Sequence, residues 1–227
     1  MAERAGLLGP LLADGVAWAE AYDDPPGTYL FPEEEARLAR AVAKRGREFT
    51  TGRRCARRAL SELGVGPVPI LPGERGAPQW PAGIVGSITH TSGYRAAAVA
   101  RAGDIVSVGI DAEPHEPLSH GAGRTVVNPP EAARLDALAA SDPGTCWDRL
   151  VFCAKEAVYK TWFPLAERWL GFDEADVTID AGGTFTARLL VPGPVVDGAE
   201  VTAFAGRWAV GRGLMAAAIT LHRPPAG

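Results

Sequence analysis

The chain has 227 residues, 47% of them apolar, and a formal net charge of −4. That length and apolar share suffice for a sizeable core, built as one domain or two closely packed halves, and for an enzyme. The acidic balance argues against a dedicated nucleic-acid binder. No apolar run approaches the roughly eighteen residues of a membrane span, and the stretch from Met1 to Gly15 is broken by Glu3, Arg4, Pro10 and Asp14, so a soluble, cytoplasmic protein is expected. Three cysteines, an odd number, suit a reducing compartment. Cys146 and Cys153 fall on one predicted helix, roughly 10 Å apart by its rise, too far to bridge.

Pro32 followed by Glu33, Glu34 and Glu35 opens a predicted helix with acids at its amino end, and Arg40, Lys44 and Arg45 lie toward its carboxyl end, as the macrodipole prefers. A second helix is predicted from Thr51 to Leu63, stopped by Gly64 and Gly66. Lys44, Arg45, Arg47, Arg53, Arg54, Arg57 and Arg58 crowd this region, with Glu48 alone opposing them. Such a cluster is either a solvated basic face or an anion site. Arg53 and Arg57 lie one turn apart, as do Arg54 and Arg58, so one pair at most can aim at a single phosphate.

The stretch from Gly66 to Gly83 is rich in Pro and Gly, and Gly73-Glu74-Arg75-Gly76-Ala77-Pro78 reads as an exposed turn whose amides and Arg75 could meet a nucleotide. Ile84 to Ile88 is predicted as a strand, Thr89 to Gly93 as a turn, and Tyr94 to Ala100 as a second strand of small residues. His90 sits at the junction; a lone histidine is ordinarily structural or exposed.

An apolar run of Ile105, Val106, Val108 and Ile110 then leads into Asp111 and Glu113, which, two apart on an extended chain, point to one side. Pro114 should end the strand there and leave both carboxylates at its carboxyl end. Between His115 and Pro143 only Glu131 to Ala140 reads clearly as helix; the rest is a loop that could contact a partner.

The next helix should be capped by Thr145 and run until Pro164, burying a stripe that includes Trp147, Leu150, Val151, Ala154, Ala157, Val158, Thr161 and Trp162. Lys155, Glu156, Tyr159 and Lys160 fall largely on another face. Glu156 and Lys160, one turn apart, taken alone are an ordinary salt-bridged surface pair. Downstream, Asp176 to Ile179, Thr184 to Leu190, Val201 to Phe204, Arg207 to Val210 and Leu214 to Leu221 suggest an antiparallel meander. Its last strand resembles Tyr94 to Ala100, a weak hint of duplication.

Set together, Asp111, Glu113 and Glu156 fit a hard cation such as Mg²⁺, which takes oxygen ligands and is commonly held by a few carboxylates plus substrate phosphates. Zinc is disfavoured: Cys55, Cys146 and Cys153 form no CxxC pair, and His90, His115, His120 and His222 no HxxxH pattern.

Several segments together resemble the Sfp-type 4′-phosphopantetheinyl transferases, nearest to their actinobacterial and enterobactin-type branch. They are Lys44-Arg45 with Glu48-Phe49 and Arg53, Gly83 to Tyr94 with Ser87-Ile88-Thr89-His90, Val108 to Pro114, Phe152 to Lys160, and Trp169-Leu170-Gly171-Phe172. The resemblance implies an α+β fold of two similar halves related by a pseudo-twofold, each a small antiparallel sheet packed with helices. The halves would be residues 1–108, contacting coenzyme A, and 109–227, carrying the magnesium site.

It also implies a cytoplasmic, monomeric enzyme that moves the phosphopantetheine arm of coenzyme A onto a serine of an apo acyl or peptidyl carrier protein, releasing adenosine 3′,5′-bisphosphate. By the same resemblance Asp111, Glu113 and Glu156 would hold Mg²⁺, with Mn²⁺ a possible substitute, and Glu156 would be a candidate base. Lys155 would contact the phosphates and Lys160 the pyrophosphate; Arg45, Arg53 and His90 would bind the 3′-phosphate. Arg75, Gly76, Ser87 and Thr89 would lie along the nucleotide. Pro72 stands where the resemblance would allow a lysine, so no basic contact is expected there. Carrier proteins are generally acidic, and some of Arg47, Arg54, Arg57 and Arg58 could steer docking. Two rivals share part of this pattern: another Mg²⁺-dependent nucleotide or pyrophosphate hydrolase, and a non-catalytic coenzyme A or carrier-protein binding module.

Overall fold

The computed structural model describes residues 6–38, 42–103 and 105–223, the side chain of His120 excepted; Arg40 therefore lies outside the described residues. β1 (Ala17–Ala21), β2 (Ile84–Thr91) and β3 (Tyr94–Arg101) form an antiparallel sheet in the order β1-β3-β2. The β2–β3 turn is tighter than predicted. Gly93, at φ 70, lets two residues reverse the chain, so Thr89, His90 and Thr91 stay in strand opposite Ala96, Arg95 and Tyr94.

α1 (Pro32–Leu38) is short, and α2 (Ala43–Glu62) begins eight residues before the predicted Thr51. Lys44 and Arg45 thus open α2 instead of closing the helix before it. Glycine at positions 46 and 52 does not break α2, because Phe49, Cys55, Ala56, Ala59 and Leu60 supply a buried helical stripe. Gly64, at φ 73, ends it where expected.

The second sheet runs β4-β10-β9-β6-β5, all antiparallel, from β4 (Ile105–Pro114), β5 (Ala175–Asp180), β6 (Thr184–Leu189), β9 (Ala203–Gly211) and β10 (Leu214–His222). A small hairpin of β7 (Val195–Val196) and β8 (Ala199–Glu200) interrupts it. β9 joins what read as two strands; the glycine taken for a break, Gly206, makes room for the Phe185 ring, which a Cβ there would meet at 2.2 Å. α3 (His120–Val126) was not predicted, and α4 (Pro129–Ser141) starts with an Asn128/Glu131 capping box. α5 (Trp147–Ala166) is not capped by Thr145, whose hydroxyl donates to Asp142 Oδ2 at 2.6 Å, and it passes through Pro164 to end at Glu167 with φ 50. Pro164 sits in the last turn, where one missing amide costs little.

Strand alternation layers the molecule. Ala97 and Val99 of β3 pack on α2, while Ala96, Ala98 and Ala100 meet Val108, Ile110 and Ala112 of β4 and Ala216 and Ala218 of β10. Met215, Ala217 and Ile219 face α5. The order is therefore helix, sheet, sheet, helix, and the alanine runs are the close contact between sheets. Among the described residues no helix is long and apolar enough to cross a membrane.

β2 and β4 are both sheet edges, and they meet without a backbone ladder. Two hydroxyls from β2 stand in for carbonyls: Ile110 N donates to Ser87 Oγ and Ala112 N to Thr89 Oγ1, each at 3.2 Å. The other face of β4 lies against α5 so closely that a Cβ on Gly109 would fall 2.1 Å from Thr161 Oγ1 and 2.2 Å from the Ala157 carbonyl. Gly109→Ala should therefore cost about 1–3 kcal/mol through forced separation of helix and strand. Denaturant unfolding checks this, and an unchanged midpoint would refute the close contact.

Candidate active site

Because Val108, Ile110 and Ala112 point between the sheets, Asp111 and Glu113 must point to α5. Glu156 and Lys160 rise from that helix one turn apart. Asp111 is buried, and its Oδ1 accepts from Lys160 Nζ at 2.6 Å and Thr89 Oγ1 at 3.0 Å. Lys160 Nζ also donates to the Ile110 carbonyl at 3.1 Å. Asp111 Oδ2 is buried and has no hydrogen-bond partner among the described residues. Glu113 Oε2 accepts from Arg149 Nη1 at 2.9 Å, and the same guanidinium donates to the carbonyls of Glu116 and Pro117.

Three carboxyls near one another disturb each other's protons. Burial, and then the Asp111 charge, push Glu113 up to about 7, against the pull of Arg149. Burial and Asp111 likewise push Glu156 up, with Lys160 opposing. For Lys160 burial acts downward, but Asp111 and Glu156 outweigh it and the net direction is up, so its ammonium persists. Cys153 is raised well above the usual thiol range by burial and then by the Asp111 and Glu113 charges, which leaves it an inert packing residue.

The cation set is not closed. Among the described residues no three His, Cys, Asp or Glu side chains converge to enclose an ion, since Glu113 is turned onto Arg149 and an ammonium takes one oxygen of Asp111. The residues nevertheless fit Mg²⁺. A bare buried carboxylate oxygen and two neighbouring carboxyls pushed upward are a local excess of negative charge that a divalent cation would relieve.

Lys160 and Glu156 also wall a cavity of about 650 Å³ between α5, β2 and α2. On its far side stand Arg45, Arg53 and His90. Arg53 is buried, stacked 3.9 Å over the Phe49 ring, with Nε donating to the Ile70 carbonyl at 3.0 Å. Burial lowers its guanidinium to about 10, so it stays charged at neutral pH. Arg45 Nη1 lies 2.7 Å from His90 Nε2, which must then accept; burial first, and Arg45 next, push the imidazole down and keep it neutral. Arg75, with φ 52, sits 5.5 Å over the Trp169 ring at the rim beside Gly76, and Ser87 lines the wall.

The basic cluster divides. Arg57 turns inward to a buried pair with Glu34 at 2.9 Å, whereas Arg54 and Arg58 remain exposed. Arg57 is therefore unavailable for docking a partner.

Lys155 requires a correction. Its ammonium does not face the cavity: it is buried and donates to Glu131 Oε2 and the Val126 carbonyl, each at 2.8 Å, and to the Phe172 carbonyl at 2.6 Å. All three of its donors are committed, so none is left for a phosphate. One step along a helix is about 100°, which swings residue 155 from the face of Glu156 toward α3 and α4. Glu131 completes the knot by accepting from Val177 N and Asn128 N, each at 2.7 Å. Arg149 was missed as a partner of Glu113, and nothing in its spacing from β4 signals that role.

Comparison with known proteins agrees along the chain. A family model described as the 4′-phosphopantetheinyl transferase N-terminal domain matches residues 33–100, and that of the 4′-phosphopantetheinyl transferase superfamily matches residues 107–210. The chain is similar to 4′-phosphopantetheinyl transferase Svp of Streptomyces mobaraensis, 56% identical over 97% of this chain and 89% of that protein. It is also similar to 4′-phosphopantetheinyl transferase PptT of Mycobacterium tuberculosis, 48% identical over 96% and 97% of the two chains. Enterobactin synthase component D of Salmonella typhi is 35% identical over 63% of this chain and 58% of its own length. Two antiparallel sheets with their helices, family-model matches over most of the chain, and identity across nearly the whole length together establish that the chain belongs to the 4′-phosphopantetheinyl transferase family.

Proposed function

We propose that this enzyme, acting as a monomer, moves the phosphopantetheine arm of coenzyme A onto a serine of an apo acyl or peptidyl carrier protein at the cavity between α2, β2 and α5. The observation that carries the reading is Lys160, whose ammonium is at once a wall of that cavity and 2.6 Å from a buried carboxylate with one bare oxygen. Arg45, Arg53 and His90 would take the 3′-phosphate, where the buried Arg53 guanidinium makes no ion pair among the described residues. Arg75, Gly76 and Ser87 would border the nucleotide. Asp111, Glu113 and Glu156 would hold Mg²⁺, or Mn²⁺ in its place, which would neutralise charge on the pyrophosphate.

Glu156, whose raised proton affinity suits a base, would accept the serine proton as the serine oxygen bonds to the β-phosphorus. The bond from that phosphorus to the bridging oxygen breaks, and adenosine 3′,5′-bisphosphate departs with its new charge facing Lys160. Most of the acceleration comes from holding the two substrates in line. Residues 1–108 would mainly serve the nucleotide and 109–227 the chemistry, with β4 (Ile105–Pro114) crossing that boundary. The exposed Arg47, Arg54 and Arg58 would attract an acidic carrier.

Intact-mass measurement of apo carriers incubated with the protein, Mg²⁺ and coenzyme A tests this. A phosphopantetheine adduct is expected, and coenzyme A cleavage without an adduct, or binding without cleavage, would overturn it. A proton on Glu113, whose carboxyl is raised to about 7, competes with the cation, so the Mg²⁺ concentration for half-maximal rate should rise as pH falls below that value. The sign for stability is the reverse of a salt-bridged acid. The metal-free folded state binds this proton more tightly than the unfolded chain between 4.5 and about 7, so stability falls as pH rises through that window. Glu113→Gln should flatten that slope in urea titrations across the range; an identical slope would remove Glu113 as its source.

A further inference from the structure

The resemblance places Thr89 along the nucleotide, but its bonds assign it elsewhere. A threonine hydroxyl has one proton and two lone pairs. Here each has a partner: Asp111 Oδ1 at 3.0 Å, Ala112 N at 3.2 Å and Lys160 Nζ at 3.5 Å. The roles follow from chemistry alone. The amide and the ammonium can only donate, and the ionised carboxylate can only accept, so the hydroxyl proton goes to Asp111. None remains for a phosphate oxygen, which needs a donor.

Position in the strand agrees. Thr89 is 2% exposed, and alternation along β2 aims it at β4, while its neighbours Ile88 and His90 line the cavity. Ser87 provides the contrast: its oxygen accepts from Ile110 N at 3.2 Å, its proton has no partner among the described residues, and it does line the cavity. Two residues of similar chemistry on one strand face thus divide the work, Ser87 free to donate to a ligand and Thr89 occupied.

We propose that Thr89 is a positioning residue for the Asp111 carboxylate and not a ligand of coenzyme A. Thr89 and Lys160 both bind Oδ1, which fixes the rotation of the carboxylate and leaves Oδ2 as its unpartnered oxygen. Without the hydroxyl, Ala112 N loses its acceptor and Asp111 can turn about the single contact with Lys160. This rests on the transferase reading above.

The test uses the full-length protein with coenzyme A, Mg²⁺ and an apo carrier, comparing wild type, Thr89→Ser and the isosteric Thr89→Val. For Thr89→Val, kcat should fall roughly 10- to 100-fold, the worth of one hydrogen bond to a charged group. Calorimetric affinity for coenzyme A should stay within about twofold, and Thr89→Ser should keep kcat within about threefold of wild type. Weakened coenzyme A binding at unchanged kcat would make Thr89 a ligand after all. Equal damage in Thr89→Ser would reduce its role to packing of the methyl group. Either result, or wild-type kcat in Thr89→Val, overturns the proposal. If Thr89→Val does not fold, Thr89→Cys, a weak donor of suitable size, replaces it, with a kcat below that of Thr89→Ser expected and an equal one overturning. Absence of transfer by the wild type would remove the transferase reading and this proposal together, which separates the two failures.

Discussion

Replacing Asp111 by alanine should abolish transfer, by at least about a thousandfold, because the carboxylate has no substitute at the meeting point of β2, β4 and α5. The same change strands the Lys160 ammonium, which keeps the Ile110 carbonyl and the weaker contact with Thr89 but loses the carboxylate 2.6 Å from it. Breaking a buried pair costs about 3–5 kcal/mol, and the 26% exposure that remains to the Lys160 side chain puts the expected loss at the lower end. Activity and stability are separable through Asp111→Asn. That variant preserves an oxygen for Lys160 and should fold nearly as well, yet should not transfer, since its neutral amide cannot balance a cation. Intact mass of the carrier and urea unfolding are the two measurements. Turnover close to wild type in Asp111→Asn would sink the assigned role, whatever the alanine variant does.

The second large effect is expected at Lys155, and it should be on stability. Lys155→Met keeps the length of the side chain but removes the cation from Glu131 and the donors from two carbonyls, in a place only 3% exposed. An uncompensated buried carboxylate should cost about 3–5 kcal/mol. In a domain of this size that is roughly 10 °C in melting temperature, because each kcal/mol shifts it by about 2–4 °C. Calorimetric affinity for coenzyme A should not change in the folded variant. The opposite pattern, normal melting with weakened binding, would return Lys155 to the phosphates. Pairing the change with Glu131→Gln should recover part of the loss, since no buried charge then remains alone.

The fate of Lys155 shows where reading the sequence succeeds and stops. β4 with its two acids was legible because strand alternation and Pro114 together fix both direction and end. The strand of small residues at Tyr94 was legible as well. Its reason, a second sheet packed on it, was not, because sheet-on-sheet contact is non-local. Glycine misled once: the gap at Gly206 read as a break between two strands, yet that glycine gives room to the Phe185 ring, which no local pattern reveals. Lys155 and Glu156 are adjacent in sequence and both charged. Only the position of α4, with Glu131 waiting at its capping box, decides that one is buried structure and the other a wall of the cavity. Arg57 against Arg53 is the same lesson one turn of helix apart.

The junction of β2 with β4 carries a broader consequence. Most sheet edges join through main-chain groups, which any residue supplies, whereas this joint is written in two side chains, Ser87 and Thr89, and one of them holds the Asp111 carboxylate. On the proposed mechanism, joining the two sheets and placing that carboxylate would be a single event. Cut between β3 and β4, the polypeptide would yield two pieces that are each incomplete at the centre, and activity would return only on reassociation. Grafting one piece onto a foreign counterpart would succeed only where the donor brings hydroxyls at both places.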